Sequence, residues 1–228
     1  MDIGSEQIRN NLLRVEQRVR EAERRSGREG EVRIVAATKY VSVEDMRLVQ
    51  EAGIRLVGEN RAHELLEKAA LYSGDMEFHF IGHLQHRKVK DVVPHVSMIH
   101  SVDSLRLVKA LDERSRRSIE VLLQVNVSGE ESKYGILPSE AEAFLEQCVS
   151  YRNVCFAGLM TMAPLVVDAE EVRPVFRGLR ELRDRLAGVF ESRYELRHLS
   201  MGMTNDFDVA VEEGATLVRV GSVLFSAP

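Results

Sequence analysis

The sequence predicts an α/β fold: a single (β/α)8 TIM barrel preceded by an extra N-terminal helix. Short apolar or β-branched runs alternate with longer segments of helical periodicity, and this alternation is typical of a parallel sheet. Eight such units account for the chain of 228 residues, a size that one barrel can use completely. A doubly wound open sheet is the alternative, because the number of elements is harder to predict than their type.

The segment Ser5–Ser26 is predicted to be an amphipathic helix. Its apolar residues recur at spacings of three and four and would form one face; they are Ile8, Leu12, Val15, Val19 and Ala22. The other faces carry arginines interleaved with glutamates. They would form either a basic contact surface or a solvated face with ion pairs, and the mixture of charges favours the second interpretation.

Eight strands alternate with helices after this segment. The predicted strands, all short and largely apolar, are 32–37, 54–57, 78–81, 97–100, 120–127, 154–160, 195–199 and 217–220. The helices predicted between them are 43–52, 61–72, 85–92, 104–115, 138–149, 172–187 and 206–213. No stretch rich in Pro, Gly or Ser separates two halves of the chain. We therefore expect one domain over residues 1–228.

The composition excludes several classes of protein. A net charge of −5 argues against a dedicated nucleic-acid binder, which usually has a basic domain or stripe. No apolar run approaches the ~18 residues of a membrane span, and the first residues do not form a signal peptide. Cys148 and Cys155 are too few for a disulfide framework. We therefore expect a cytoplasmic protein that binds neither nucleic acid nor a membrane.

A lysine at the end of the first predicted strand is the first candidate site residue. In this fold, functional residues lie where strands end and the following loops begin. Lys39 directly follows an apolar strand. Desolvation at the barrel mouth would favour its neutral amine, the form that makes a Schiff base with a carbonyl group. A structural ion pair with Glu59 or Asp103 is the alternative interpretation.

The ends of the last two strands predict an anion site. A phosphate site in this fold commonly uses the loops after strands seven and eight and the N-terminus of a short helix. Ser200, Gly202 and Thr204 follow the seventh strand, just before a short helix whose free N–H groups would complete the site. Gly221 and Ser222 end the eighth strand and form a second glycine–hydroxyl turn at the same place.

Arg219 interrupts the apolar strand 217–220 and is predicted to point into the barrel. A buried arginine has to be paired or to meet a ligand, because burying it alone is costly. A reactive lysine, a phosphate site and an inward arginine together suggest pyridoxal 5′-phosphate (PLP). Lys39 would hold the aldehyde, the last two loops the phosphate, and Arg219 the ring nitrogen.

The chain resembles the pyridoxal phosphate homeostasis protein family, relatives of the barrel domain of alanine racemase. The matching stretches, in order along nearly the whole chain, are VAATKYVSVEDM, LVGENRAHELLEKA, FHFIGHLQHRKVK, IHSVDS, LLQVNVSGEESKYGI, FAGLMTMAP and LSMGMTNDFDVAVEEGATLVRVGSVLF. The resemblance implies that Lys39 is the Schiff-base lysine, that Asn60 lies near the cofactor and that Arg219 meets the pyridine nitrogen. The residues that it implies around the phosphate are Ser200, Thr204, Gly221 and Ser222.

The resemblance implies a protein that stores, buffers or delivers PLP in the cell, with little or no catalytic activity. The guanidinium of Arg219 can donate a hydrogen bond but hardly yields its proton, which makes the bound cofactor a poor electron sink. An amino-acid racemase is the alternative. It normally needs a tyrosine base from a second domain of a partner subunit, and this chain ends where the barrel closes. PLP-dependent apoenzymes would be recipients, and we expect a monomer.

Three histidines around the third strand, His79, His83 and His86, raise the question of zinc. His79 and His83 lie at different depths of the strand, and no thiolate or carboxylate accompanies them, so we expect no metal site. His83, in the loop, is instead predicted to lie at the rim of the cofactor site. The segment 133–135 after the fifth strand is a solvated loop, a contact for an anion near the barrel mouth, or a second, transient cofactor site.

Overall fold

Eight parallel strands close into one barrel in this computed structural model, which describes residues 3–28, 30 and 32–227. Each strand pairs with its neighbour in the chain, and the eighth pairs with the first. The predicted (β/α)8 barrel with an N-terminal helix is therefore confirmed, and the open sheet is wrong. The predicted domain, 1–228, also includes residues 1, 2, 29, 31 and 228, which lie outside the described residues.

The elements alternate as the sequence predicts. The strands are β1 (Arg33–Ala37), β2 (Leu56–Glu59), β3 (Glu77–Phe80), β4 (Met98–Val102), β5 (Ile119–Gln124), β6 (Val154–Met160), β7 (His198–Ser200) and β8 (Leu217–Val220). The described α-helices are α1 (Ser5–Ser26), α2 (Met46–Glu51), α3 (Ala62–Tyr72), α4 (Val89–Val92), α5 (Leu105–Arg114), α6 (Ala141–Cys148), α7 (Arg173–Phe190), α8 (Phe207–Glu212) and α9 (Ser222–Phe225). Within the described ranges, no helix combines the length and the apolar character that crossing a membrane requires.

Several elements differ from their predicted form. The helix predicted over 85–92 is divided into a 3-10 turn, His86–Lys88, and the single turn α4. A second 3-10 turn that contains Pro94 follows, and proline cannot donate the backbone hydrogen bond that would continue α4. The strand predicted over 195–199 begins only at His198, since Leu196 has a φ of 43° outside the strand region. The helix α9 was not predicted, because four residues are too few to show periodicity.

Side chains alternate along the strands between the helix layer and the barrel interior. Val57, Ile99 and Val218 face outward and join the large apolar cluster formed with the helices. A second apolar cluster fills the interior; its buried members are Val35, Leu56, Met98, Leu122, Ala157, Met160 and Leu217. The interior is thus a packed core, as is usual for this fold, and polar side chains inside it need hydrogen-bond partners.

The helix α1 packs its apolar face on the barrel and contacts α8 and α9, the helices before and after the last strand. Among its arginines, Arg18 pairs with Asp208 and Arg25 pairs with Glu212 of α8, so this face carries ion pairs as expected. The buried side chain of Asn11 donates to the backbone carbonyl of Leu224 over 3.1 Å. This hydrogen bond holds α9, which begins at the end of β8.

Candidate functional site

A cavity of about 260 Å³ lies at the carboxyl ends of the strands. The sequence-predicted site residues that line it are Lys39, Thr204, Arg219, Gly221 and Ser222. Tyr40 and the loop 164–166 after β6 form its apolar side. A larger cavity of about 460 Å³ lies beside α1 at the opposite ends of β1 and β2. None of the predicted site residues lines that larger cavity, so these residues are concentrated at the carboxyl ends of the strands.

Lys39 follows β1 with an exposed side chain, and its Nζ lies 4.7 Å from the centroid of the Tyr40 ring. The expected desolvation of the amine is therefore absent from the structure. Neither of the alternative ion pairs forms, since Glu59 binds Lys68 and Asp103 lies nearest to His83. Within the part of the chain that the structure describes, Lys39 has no carboxylate partner. Its amine is available at the wall of the cavity.

Thr204 joins the loops that follow β7 and β8. Its Oγ1 accepts a hydrogen bond from the Ser222 hydroxyl over 3.3 Å and from the N–H of Gly221 over 3.5 Å. A Cβ at Gly221 would lie 3.2 Å from the carbonyl oxygen of Ala37, a tight contact with the end of β1. Two hydroxyls and a backbone N–H thus lie together beside the cavity, as an oxyanion group requires.

Gly202 allows the loop after β7 to pack closely on α8. Its φ is +89°, a region that residues with a side chain rarely adopt. A Cβ at this position would lie 2.6 Å from the Cβ of Ala210 and 2.9 Å from the Cα of Phe207. The carbonyl of Gly202 also accepts the backbone N–H of Arg219 over 3.0 Å. The glycine therefore links the conformation of the loop to the position of β8.

We expect Gly202→Ala to lower the free energy of unfolding by about 1–3 kcal/mol, because it combines backbone strain with a displacement of α8. Chemical denaturation measures this change. Gly188→Ala is the matched control, since Gly188 lies in α7 with open space around a Cβ; it should raise stability by about 0.4–1 kcal/mol. Equal destabilisation by both substitutions would contradict the close packing at Gly202.

Ser200 is fully buried at the end of β7 and does not line the cavity. Its Oγ accepts a hydrogen bond from Nη1 of Arg219 over 2.5 Å, while Nη2 of Arg219 donates to the carbonyl of Thr161 over 2.9 Å. Burial lowers the pKa of Arg219 to about 10, an effect that the nearby Asp206 opposes. The guanidinium consequently stays charged at neutral pH and is fixed by neutral acceptors.

Asn60 and His83 lie outside the cavity of Lys39. They line a neighbouring cavity of about 300 Å³ after β2 and β3. The Oδ1 of Asn60 is buried without a hydrogen-bond partner among the described residues. The ring of His83 stacks on Tyr134 with centroids 4.6 Å apart. The segment 133–135 thus reaches the barrel mouth and contacts the side where Asn60 and His83 lie.

A buried ion pair behind Lys39 was not predicted. Nζ of Lys68 lies 2.7 Å from Oε1 of Glu59 and 2.8 Å from the carbonyl oxygen of Thr38, the residue before Lys39. The side chains of Lys68 and Glu59 are 2% and 0% exposed. One sequence signal was available, since Lys68 shares the buried stripe of α3 with Leu65 at a spacing of three.

The three histidines considered as zinc ligands contact different residues. His79 is buried and hydrogen-bonded to His100, and His86 accepts a hydrogen bond from Arg106 over 2.8 Å. Over the described ranges, no group of three His, Cys, Asp or Glu side chains is arranged to hold a metal ion.

Comparisons with known proteins show which proteins this chain resembles. The model of the alanine racemase N-terminal domain matches residues 7–228. A pyridoxal phosphate homeostasis protein of Aquifex aeolicus is 44% identical over 219 residues, with 94% of this chain and 95% of that protein covered. A crystal structure from Bifidobacterium adolescentis has a TM-score of 0.92 and 36% identity, covering 99% of this chain and 97% of the other. PipY of Synechococcus elongatus, with PLP bound, has a TM-score of 0.82 and 33% identity, covering 96% and 100%.

Proposed function

Because the chain belongs to the pyridoxal phosphate homeostasis protein family, we propose that it binds PLP and stores, buffers or delivers this cofactor. One observation carries the proposal: the amine of Lys39, the hydroxyls of Thr204 and Ser222, and the guanidinium of Arg219 surround a single cavity. These groups complement an aldehyde, a phosphate and a ring nitrogen. We propose that residues 1–228 act as one cofactor-binding domain.

Lys39 is proposed to hold the aldehyde of PLP as a Schiff base. PLP supplies this aldehyde when it is bound; the bond between Nζ and the carbonyl carbon forms as one water molecule leaves. The exposed amine lies beside the cavity without a carboxylate partner among the described residues, so no ion pair has to break first. Thr204, Ser222 and the backbone at Gly221 are proposed to bind the phosphate through O–H and N–H donors.

Arg219 is the reason to propose storage or delivery over transamination or decarboxylation, although racemisation survives this argument. Its guanidinium donates hydrogen bonds and keeps its proton, since its pKa of about 10 is far above that of a pyridine nitrogen. A ring nitrogen that receives only a hydrogen bond withdraws electrons weakly, so reactions that need a strong electron sink are disfavoured. Ser200 is proposed to contribute by holding Arg219 and not by touching the phosphate.

Asn60 and His83 are proposed to form the rim of the cofactor site. The unpartnered Oδ1 of Asn60 can accept a hydrogen bond that no described side chain supplies, and the half-exposed ring of His83 lies beside it. We further propose PLP-dependent apoenzymes as recipients and a monomer in the cytoplasm as the working form. Light scattering during size-exclusion chromatography tests the oligomeric state.

Spectral titration with PLP tests the proposed function. We expect visible absorbance to rise until one equivalent is bound, and borohydride to trap PLP on the peptide that contains Lys39. An unchanged PLP spectrum would contradict the proposal. The racemase alternative is tested with single-enantiomer amino acids. Formation of the opposite enantiomer faster than with PLP alone would favour that alternative.

A further inference from the structure

A continuous chain of hydrogen bonds crosses the barrel interior and ends at Arg219. We call Glu77, His79, His100 and Ser200 the polar column. Oε1 of Glu77 lies 3.0 Å from Nε2 of His79, and Nδ1 of His79 lies 2.9 Å from Nε2 of His100. Nδ1 of His100 lies 2.8 Å from Oγ of Ser200, which accepts from Arg219 over 2.5 Å. The column thus connects β3, β4 and β7 with β8.

The surroundings of the polar column make its hydrogen bonds costly to break. His79, His100 and Ser200 are all 0% exposed. The other side chains of the barrel interior are mainly apolar, including Met98 and Leu217. A polar group without a partner in such an environment loses its hydration and gains nothing in return. Each donor in the column therefore requires an acceptor.

The chemistry of these groups fixes the direction of the hydrogen bonds. Arg219 only donates, so Ser200 accepts from it, and the hydroxyl proton of Ser200 is then available for Nδ1 of His100. His100 then carries its proton on Nε2 and donates to Nδ1 of His79. His79 in turn donates from Nε2 to the carboxylate of Glu77. With one proton on each imidazole, the opposite direction would place an unprotonated nitrogen of His79 against that carboxylate.

The protonation states agree with this direction. Hydrogen bonds, the largest from His79, hold the pKa of Glu77 at about 2 against the opposing effect of burial, so the carboxylate is ionised at neutral pH. Burial lowers the pKa of His100 well below its usual value, and electrostatic interactions with His79, Arg219 and His198 lower it further. The column consequently has an ionised carboxylate at Glu77, a neutral imidazole at His100 and a positive guanidinium at Arg219.

We propose that the polar column positions Arg219 for the ring nitrogen of PLP. This inference rests on the proposed function. Ser200 and Thr161 each accept one N–H from a different terminal nitrogen of the guanidinium, which fixes its plane. Nη2 also donates to the sulfur of Met162 over 3.2 Å, so Nε–H and the second N–H of Nη1 are left for a ligand in the cavity that Arg219 lines. His100 contacts neither the cavity nor Arg219 directly and acts through Ser200.

NMR of the unliganded protein tests the column without PLP. In the wild type, ¹⁵N spectra should show His79 and His100 protonated on Nε2 and unprotonated on Nδ1, and the two terminal nitrogens of Arg219 should give separate signals. In His100→Leu, these nitrogens should average through faster rotation, and affinity for PLP should fall about tenfold, the effect of losing one buried hydrogen bond. His100→Gln should restore both properties, because its amide can accept from Ser200 and donate to His79.

Two results would overturn the proposal: Nδ1–H tautomers in the wild type, or separate Arg219 signals and unchanged PLP affinity in a folded His100→Leu variant. A wild-type protein that fails to bind PLP would reject the proposed function, whereas the Arg219 signals would still report on the column. Thermal denaturation shows whether each variant folds. If His100→Leu does not, His79→Leu, three hydrogen bonds away from Arg219, should show the same averaging, and its absence would count against the column.

Discussion

Lys39→Ala protein should carry no covalent PLP after borohydride treatment, and its visible absorbance with PLP should match that of free PLP. The amine of Lys39 is the nucleophile that the cavity offers to an aldehyde, and the hydroxyls of Thr204 and Ser222 cannot form a Schiff base. Intact-protein mass spectrometry after reduction measures the loss. Because the side chain of Lys39 is exposed, we expect the substitution to leave folding stability within about 0.5 kcal/mol of the wild type.

Lys133→Ala is the matched control for that experiment. Lys133 belongs to the segment at the barrel mouth, and its Nζ donates to the carbonyl of Ala163 over 3.3 Å. It should retain the full mass increase on the peptide that contains Lys39. A covalent adduct that persists in Lys39→Ala protein would contradict the assignment. If the adduct then lies on Lys133, the segment 133–135 is itself a cofactor contact.

The barrel and most of its mouth could be predicted because strand ends are local features of the sequence. Lys39 and Ser222 are far apart in the chain, but each directly follows an apolar strand. Parallel strands that close in chain order bring their carboxyl ends to one side. A prediction of where each strand ends therefore also predicts that the residues after it lie at the barrel mouth.

Contacts across the barrel could not be predicted in this way. His100 meets Ser200 although they lie on β4 and β7, and this contact depends on strand register and barrel closure. For the same reason, Ser200 was expected beside the phosphate, whereas its side chain lies below the cavity and holds Arg219. Asn60 was assigned near the cofactor from family resemblance, and the structure places it in the adjacent cavity.

The buried pair of Lys68 and Glu59 shows how the backbone before Lys39 is supported. Lys68 donates to Glu59 and to the carbonyl of Thr38, while the Thr38 hydroxyl donates to the same carboxylate oxygen over 2.5 Å. The other oxygen, Oε2 of Glu59, has no hydrogen-bond partner among the described residues. Burial raises the pKa of this carboxyl, and the hydrogen bonds from Lys68 and Thr38 oppose that rise.

Lys68→Met should consequently lower the free energy of unfolding by about 3–5 kcal/mol at neutral pH, because it leaves the buried charge of Glu59 without its partner. The double variant Glu59→Gln/Lys68→Met removes both charges and should recover much of that loss. Urea denaturation of both variants measures the difference. If Lys68→Met has the same free energy of unfolding as the double variant, the unpaired charge of Glu59 is not the cause of the loss.

The pH dependence of Lys68→Met gives a second test of the same charge. Without Lys68, the pKa of Glu59 in the folded protein rises further above its value in the unfolded chain, so the folded state binds the proton more tightly. The stability deficit should therefore shrink as pH falls toward the ordinary glutamate pKa of about 4.3, and grow as pH rises through the raised value. The double variant has no carboxyl at position 59 and should lack this dependence. A deficit that is constant with pH would mean that lost packing by Lys68, and not the unpaired carboxylate, causes the destabilisation.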